Sequence, residues 1–165
     1  MAVDMFIKFS NGIKGGTADK HQTDACDLLA FSWGMTQSGS FHYGSGGGAG
    51  KCSFQDLSFT KYVDSASTAI MKHCANGVHL DSATLLVRKA GSAVGNEAEK
   101  DMEITMTKVI VTSISSGGSG GEDRFTENIS LNFAEIKFEN FKQDDKGTSS
   151  SAGEFEYNIA ENTGK

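Results

Sequence analysis

The stretch Gly44-Ser45-Gly46-Gly47-Gly48-Ala49-Gly50-Lys51 has the composition of a loop that cradles phosphate. The phosphate-binding motif reads G-x-x-x-x-G-K-[ST] and sits between a strand and a helix. Counted back from Gly50-Lys51, its first glycine falls on Ser45, and Gly44 lies one residue too far away. The residue after the lysine is Cys52, and a thiol is a poor ligand for Mg²⁺. The next segment, CSFQDLSFTKYV (52–63), is rich in aromatic and β-branched residues and reads as a strand. The motif needs a helix N-terminus there to hold the anion. The stretch is therefore a glycine loop between two strands, and the question becomes what such a loop is for.

Other candidate chemistry is sparse. His21, His42, His73 and His79 show no metal-ligand spacing. Cys26, Cys52 and Cys74 are odd in number, lie far apart and contain no C-x-x-C. They read as small buried thiols in a reducing compartment. Asp56 and Glu103 are isolated acids within strands, and there is no G-x-S-x-G elbow. Glu122-Asp123-Arg124 is a charge cluster at a strand start. It reads as a salt bridge, within the chain or across a subunit contact. A convergent catalytic set is missing, so the residues point to a non-enzyme with no cofactor and no metal.

The net charge of −6 opposes binding to a phosphate backbone, so nucleic acid is not an expected partner. No basic amphipathic stretch or long apolar run suggests a membrane. The start, MAVDMFIKFS, lacks the basic and apolar regions of a secretory signal. Synthesis and folding in the cytoplasm are expected, with any export independent of a cleaved signal.

These residues must be positioned by strands. The 165 residues suit one domain, and 20 glycines with no proline suit strands joined by glycine turns. Residues 3–9 alternate, with Val3, Met5, Ile7 and Phe9 on one side and Phe6 breaking the polar side. Residues 10–23 read as a loop. Residues 25–37 read as one long strand, with Leu29, Phe31, Trp33 and Met35 on one face. Its other face would be small: Cys26, Leu28, Ala30, Ser32 and Gly34. Strand 51–63 shifts parity between Phe54 and Leu57, the mark of a bulge. One short helix is predicted over about 65–76, capped by Asp64 or Ser65 and ended by Gly77. It would flank or plug one end of the sheet. Further strands are predicted at 82–90, 99–115, 124–138 (with a parity shift between Phe133 and Ile136) and 155–159. A second glycine loop falls at 116–121, and 140–153 reads as a mobile connection. Strands of this number favour a closed barrel or two packed antiparallel sheets.

Strands 25–37 and 99–115 carry uncharged residues on both faces. A sheet in a lone monomer usually keeps one side solvated. Closing identical copies into a ring would cover edges and second faces.

The segments MAVDMFIKF (1–9), LLAFSWGMTQSGSFHYGSGGGAGK (28–51), QDLSFTKYVDSAS (55–67), RKAG (88–91) and SSGGSGGEDRFTENISLNFAEIKFE (115–139) resemble the haemolysin-coregulated protein family, Hcp. The resemblance runs nearly end to end, and SFTKYVD with GGSGGEDR is its most specific part. It implies a compact β-barrel of two antiparallel sheets with one flanking helix, closed as a hexameric ring. It further implies that rings stack into the inner tube of the type VI secretion system, propelled by contraction of a sheath. Partners would then be other copies, the spike protein, sheath and baseplate components, and effectors carried in the lumen. Assembly in the bacterial cytoplasm and later secretion follow from the same resemblance. The chain ends soon after its last strand, so no appended toxin domain is expected. Gly44, Ser45, Gly46, Gly47, Gly48 and Lys51 become candidate ring or stacking contacts, with Glu122, Asp123 and Arg124. Ser113, Ser115 and Ser116 become candidate channel-lining residues that touch effectors. An alternative is an effector-binding chaperone or receptor acting as free hexameric rings.

Overall fold

In the computed structural model, residues 3–42, 48, 50–89, 100–146 and 149–164 are described. Strand β1 (Val3–Phe9) pairs antiparallel with β7 (Leu80–Lys89), which pairs with β8 (Lys100–Gly117). The long β8 pairs with the equally long β9 (Thr126–Gln143). The N-terminal half of β9 pairs with β6 (Leu57–Tyr62), and β6 pairs with β3 (Ala30–Ser32). On its far side β1 pairs with β2 (Cys26–Asp27). Between β2 and β3 the chain bonds in both directions. Leu28 N–H donates to Met5 O at 2.9 Å, and Leu29 N–H donates to Thr60 O at 2.8 Å. Residues 26–32 thereby join the first strand to β6 and close the barrel, which leaves no free edge there. A smaller two-stranded sheet is formed by β4 (Met35–Thr36) and β5 (Ser53–Phe54).

The expected single strand over 25–37 is thus three short pieces, β2, β3 and β4. Cys26 and Leu28 are buried, Leu29, Ala30 and Ser32 are exposed, and Phe31 packs on the core. Inward parity changes between Leu28 and Phe31 as the chain crosses from one neighbour to the other. The small-residue face drawn from strict alternation is therefore split, with Cys26 and Leu28 inside and Ala30 and Ser32 outside.

The connection expected over 140–153 is mostly strand. The ladder of β9 with β10 (Ser149–Asn158) runs from Glu135 to Gln143, and β11 (Thr163–Gly164) pairs with the end of β10. Low sequence complexity hid this because the ladder needs only backbone groups, and small residues on an outer strand satisfy it. β9 therefore belongs to both the barrel and the flap formed by β10 and β11.

A corner crosses three strands at one level. Lys108 has φ 54°, a left-handed conformation inside β8. Before it Ile104 and Met106 are buried, and after it Val109 and Val111. Opposite on β9, Leu131 and Phe133 give way to Ile136, the expected parity shift. On β7, Leu80 gives way to Ala83 and Leu85. Each strand changes its inward face there, so the sheet folds over one continuous core.

Helix α1 (Ser67–Asn76) ends at Gly77, whose φ of 63° suits glycine. Ile70 and Ala66 are buried in the barrel core, and α1 packs against β8. Asp64 does not cap by the expected route, because the N-cap is Ala66 and has no side-chain bond. Asp64 Oδ1 accepts from Ala66 N–H at 3.0 Å and from Lys61 Nζ at 2.7 Å. The predicted loop at 10–23 is held by Arg88, which pairs with Asp19 and lies 5.0 Å over the Phe6 ring.

Candidate interaction surfaces

The outward side of the barrel over β3, β6, β9 and β8 is built from small polar residues. Strand registers align them in rows. Ser32 stands opposite Ser58, Ser58 opposite Ser130, and Ser130 opposite Ser113. The next row is Ala30, Thr60, Asn128 and Ser115. Ser58 Oγ and Ser130 Oγ are 3.3 Å apart, and Thr60 Oγ1 donates to Asn128 Oδ1 at 2.6 Å. These side chains bond across the strands, hydroxyl to hydroxyl in one row and hydroxyl to amide oxygen in the next, which holds the rotamers and leaves an uncharged wall.

Charge appears only at the two ends of this wall. At one end, Asp56 accepts from Thr112 Oγ1 at 2.8 Å and from Asn132 Nδ2 at 2.9 Å. Thr112 reaches it from the point where the β8–β9 register slips between Val111 and Ser113. At the other end, the Arg124 guanidinium lies 4.0 Å over the Tyr62 ring.

The candidate channel residues divide. Ser113 and Ser115 lie on the wall, whereas Ser116 stands opposite the buried Glu127, on the other side of the sheet. Ser32, Ser58, Thr60, Asn128 and Ser130 join them, although only Ser113, Ser115 and Ser116 were singled out from the sequence. The missing signal was alternation. Leu57 and Phe59 point inward, so Ser58 and Thr60 had to point outward.

The candidate stacking residues lie at opposite ends of the barrel. Gly44, Ser45, Gly46 and Gly47 fall outside the described residues. Gly48 is exposed and exchanges bonds with Ser40, donating N–H to Oγ at 3.0 Å and accepting from it at 2.8 Å. Lys51 is exposed. Strands β3–β4 and β5–β6 form one bent hairpin that carries Gly48 and Lys51 away from Asp56. Because β8 continues to Gly117, the second loop is the turn at 118–125, beside Tyr62 and Val63 at the far end. Glu122 and Asp123 are exposed there without an ion pair among the described residues, and Arg124 stacks on Tyr62 instead of bridging to them.

The barrel interior holds a charged cluster that the sequence reading missed. Lys61 and Glu127 are opposite each other on β6 and β9 and both fully buried. Ser67 Oγ donates to Glu127 Oε1 at 2.6 Å, and Glu127 Oε2 has no partner. Burial pushes the Lys61 ammonium toward its neutral form, but hydrogen bonds to Asp64 and Glu127 outweigh this and raise its pKa. Burial, with the Asp64 carboxylate beside it, pushes the Cys26 thiol up to about 12. The cluster seats the start of α1 on the barrel. Nothing in it aligns a nucleophile with a base in an open cleft.

A groove of about 400 Å³ on the flap is lined by Thr105, Thr107, Glu135, Lys137, Glu156 and Asn158, among others. Among the described residues, no group of three His, Cys, Asp or Glu is placed to hold a metal, and no helix is long and apolar enough to cross a membrane.

Residues 6–139 match the family model described as type VI secretion system effector, Hcp. The chain is 47% identical over 137 residues to the protein Hcp1 of Pseudomonas aeruginosa, covering 83% of this chain and 82% of that one. The crystal structure of Hcp1 from Salmonella typhimurium aligns with a TM-score of 0.78 at 31% identity, covering 100% of each chain. A type VI secretion system effector from Yersinia pestis aligns with a TM-score of 0.73 at 28% identity, over 94% of this chain and 100% of that one. With the closed barrel, one helix among the described residues and the match across 6–139, the chain belongs to the Hcp family of type VI secretion proteins.

Proposed function

We propose that copies of this chain close into a hexameric ring and that rings stack into the inner tube of a type VI secretion apparatus. The single observation that carries this reading is the uncharged wall of Ser32, Ser58, Ser130 and Ser113 with Ala30, Thr60, Asn128 and Ser115. The side of a sheet turned away from the core normally carries charges that keep a monomer solvated. A neutral hydroxyl surface instead suits the lining of a channel, where weak polar contacts let varied passengers bind and leave. On this reading the ring assembles in the bacterial cytoplasm, meets spike, sheath and baseplate components, and leaves the cell without a cleaved signal. It performs no catalysis.

Negative-stain images and sedimentation of the purified chain test the ring. Six-fold rings with a central hole are expected at micromolar protein, and a stable single-chain species there overturns the reading. The lining is tested with Ser113→Tyr and Ser115→Tyr. Rings are expected to persist while effector co-purification falls at least tenfold. Unchanged co-purification would remove the wall as the contact surface. The same wall also serves an effector-binding chaperone acting as free rings. That second reading prevails if the protein carries effector in cells but is found only as single rings.

A further inference from the structure

Asn-Gly occurs at Asn11-Gly12 and at Asn76-Gly77. Asparagine is a thermolabile residue. Its side-chain amide carbon lies within reach of the next residue's backbone nitrogen, and a glycine there removes the side chain that would crowd the approach. The carboxamide must still be free to swing toward that nitrogen. The fold treats the two pairs differently.

Asn11 is locked. It has φ 60°, and Gly12 has φ 79°, in the turn that follows β1. Its Oδ1 accepts from Asp81 N–H at 3.0 Å and from Ser10 Oγ. Ser10 is itself tied to β7, donating N–H to Ser82 O and accepting from Ser82 N–H, each at 3.0 Å. Turning the Asn11 carboxamide toward Gly12 breaks both of its bonds.

Asn76 is loose. It is the last residue of α1 and exposed, and among the described residues its carboxamide has no hydrogen-bond partner. The neighbouring nitrogen is weakly held, since Gly77 N–H donates to Cys74 O at a long 3.4 Å. Beyond it, Val78 N–H donates to His73 O at 3.2 Å. Helix ends open locally at little cost. Gly77, with φ 63°, moves between backbone regions more readily than any other residue would.

We propose that Asn76 is a site of spontaneous deamidation in the folded chain. The Gly77 backbone nitrogen gives its proton to solvent and attacks Asn76 Cγ. The bond from Cγ to the side-chain nitrogen breaks, ammonia leaves, and a five-membered succinimide remains. Water then opens the ring at one of its two carbonyls. Opening at Cγ leaves aspartate. Opening at the main-chain carbonyl leaves isoaspartate, with the chain routed through Cβ and longer by one methylene. One water is consumed and one ammonia released, with no oxidant or reductant.

Either product places a carboxylate at the C-terminal end of α1, where the helix dipole is negative, on a chain already at −6. The isoaspartate also draws Gly77 and Val78 away from Cys74 O and His73 O. Only residues 77–79 separate α1 from Leu80, the buried first residue of β7. Conversion therefore loosens the last turn of α1 and records the age of each molecule at one fixed place. A single chain suffices for this chemistry, with or without a ring.

The full chain is aged in mildly alkaline buffer and mapped by peptide mass spectrometry, with the same protein in guanidinium chloride as reference. In the denatured chain the two Asn-Gly pairs are expected to convert at rates within threefold of each other. In the folded chain Asn76 is expected to convert at least tenfold faster than Asn11, with isoaspartate in excess over aspartate. Gly77→Ala, whose added Cβ meets nothing within 4 Å, is expected to slow conversion at Asn76 at least tenfold in both states. Hydrogen exchange at Gly77 and Val78 is expected to rise at least tenfold in the converted fraction, and unchanged exchange there overturns the loosening. An Asn76 that stays intact while the denatured chain converts, equal folded rates at the two pairs, or aspartate as the sole product overturns the proposal.

Discussion

Lys61 Nζ lies 2.5 Å from Glu127 Oε1, with both side chains fully excluded from solvent. The pair stands on adjacent strands beneath the first turn of α1, with Asp64 and Ser67 adding further bonds while Glu127 Oε2 stays without a partner. Taking two charges out of water costs nearly what their attraction returns. The loss is therefore severe when one partner remains alone. Glu127→Gln and Lys61→Met are each expected to cost about 3–5 kcal/mol, read from urea midpoints. Lys61→Met combined with Glu127→Leu is expected to recover most of that loss. A double variant as unstable as the sum of the singles would show that the cluster adds more than mutual neutralisation.

Stability is expected to fall at alkaline pH. Lys61 has a raised pKa in the folded chain, so its contribution is complete below the unfolded value and disappears as pH rises through the folded one. The Cys26 thiol, raised from 9.0 to about 12, acts in the same direction. Its contribution is intact below pH 9.0 and is lost progressively up to about 12. Urea midpoints should therefore decline from about pH 9 upward, and Cys26→Ala should flatten the first part of the decline. A midpoint unchanged between pH 8 and pH 11 would contradict the assignment.

Gly15 separates a packing glycine from a merely permissive one. A Cβ there would lie within about 2.6 Å of the backbone of Ala25 and Cys26, which cannot yield without opening the seam that closes the barrel. Gly15 N–H also donates to Asp24 O at 2.8 Å. Gly15→Ala is expected to cost about 1–3 kcal/mol by thermal or urea unfolding. Gly120→Ala, with nothing within 4 Å of the added atom, should fall within about 0.5 kcal/mol of the parent. Equal effects at the two positions would refute the packing argument.

Much of the scaffold was legible in the sequence wherever one local rule acted alone. β1 followed from alternation, the end of α1 from Gly77, and the break between β5 and β6 from the shift between Phe54 and Leu57. The parity change on β9 was visible between Phe133 and Ile136. Hidden features were those decided by a neighbour. Residues 25–37 are apolar enough for one strand, and only their three different partners, β1, β6 and β5, break them into three. The flap strand β10 has few residues of high strand preference and is held by the β9 ladder. The Lys61–Glu127 pair spans distant segments, yet a trace was present. Alternation places Lys61 in line with Leu57 and Phe59, and Glu127 in line with Ile129 and Leu131. A lysine and a glutamate on two inward faces call for each other.

Because residues 26–32 close the barrel between β1 and β6, while β6 docks on β9, the first quarter of the polypeptide has no lasting home until Thr126–Gln143 has left the ribosome. β1 itself waits for Leu80–Lys89. Such distant pairings make for slow maturation and for an extended period with unpaired strands open to misassociation. A cell that makes this protein in quantity must keep long nascent chains from aggregating before the seam shuts.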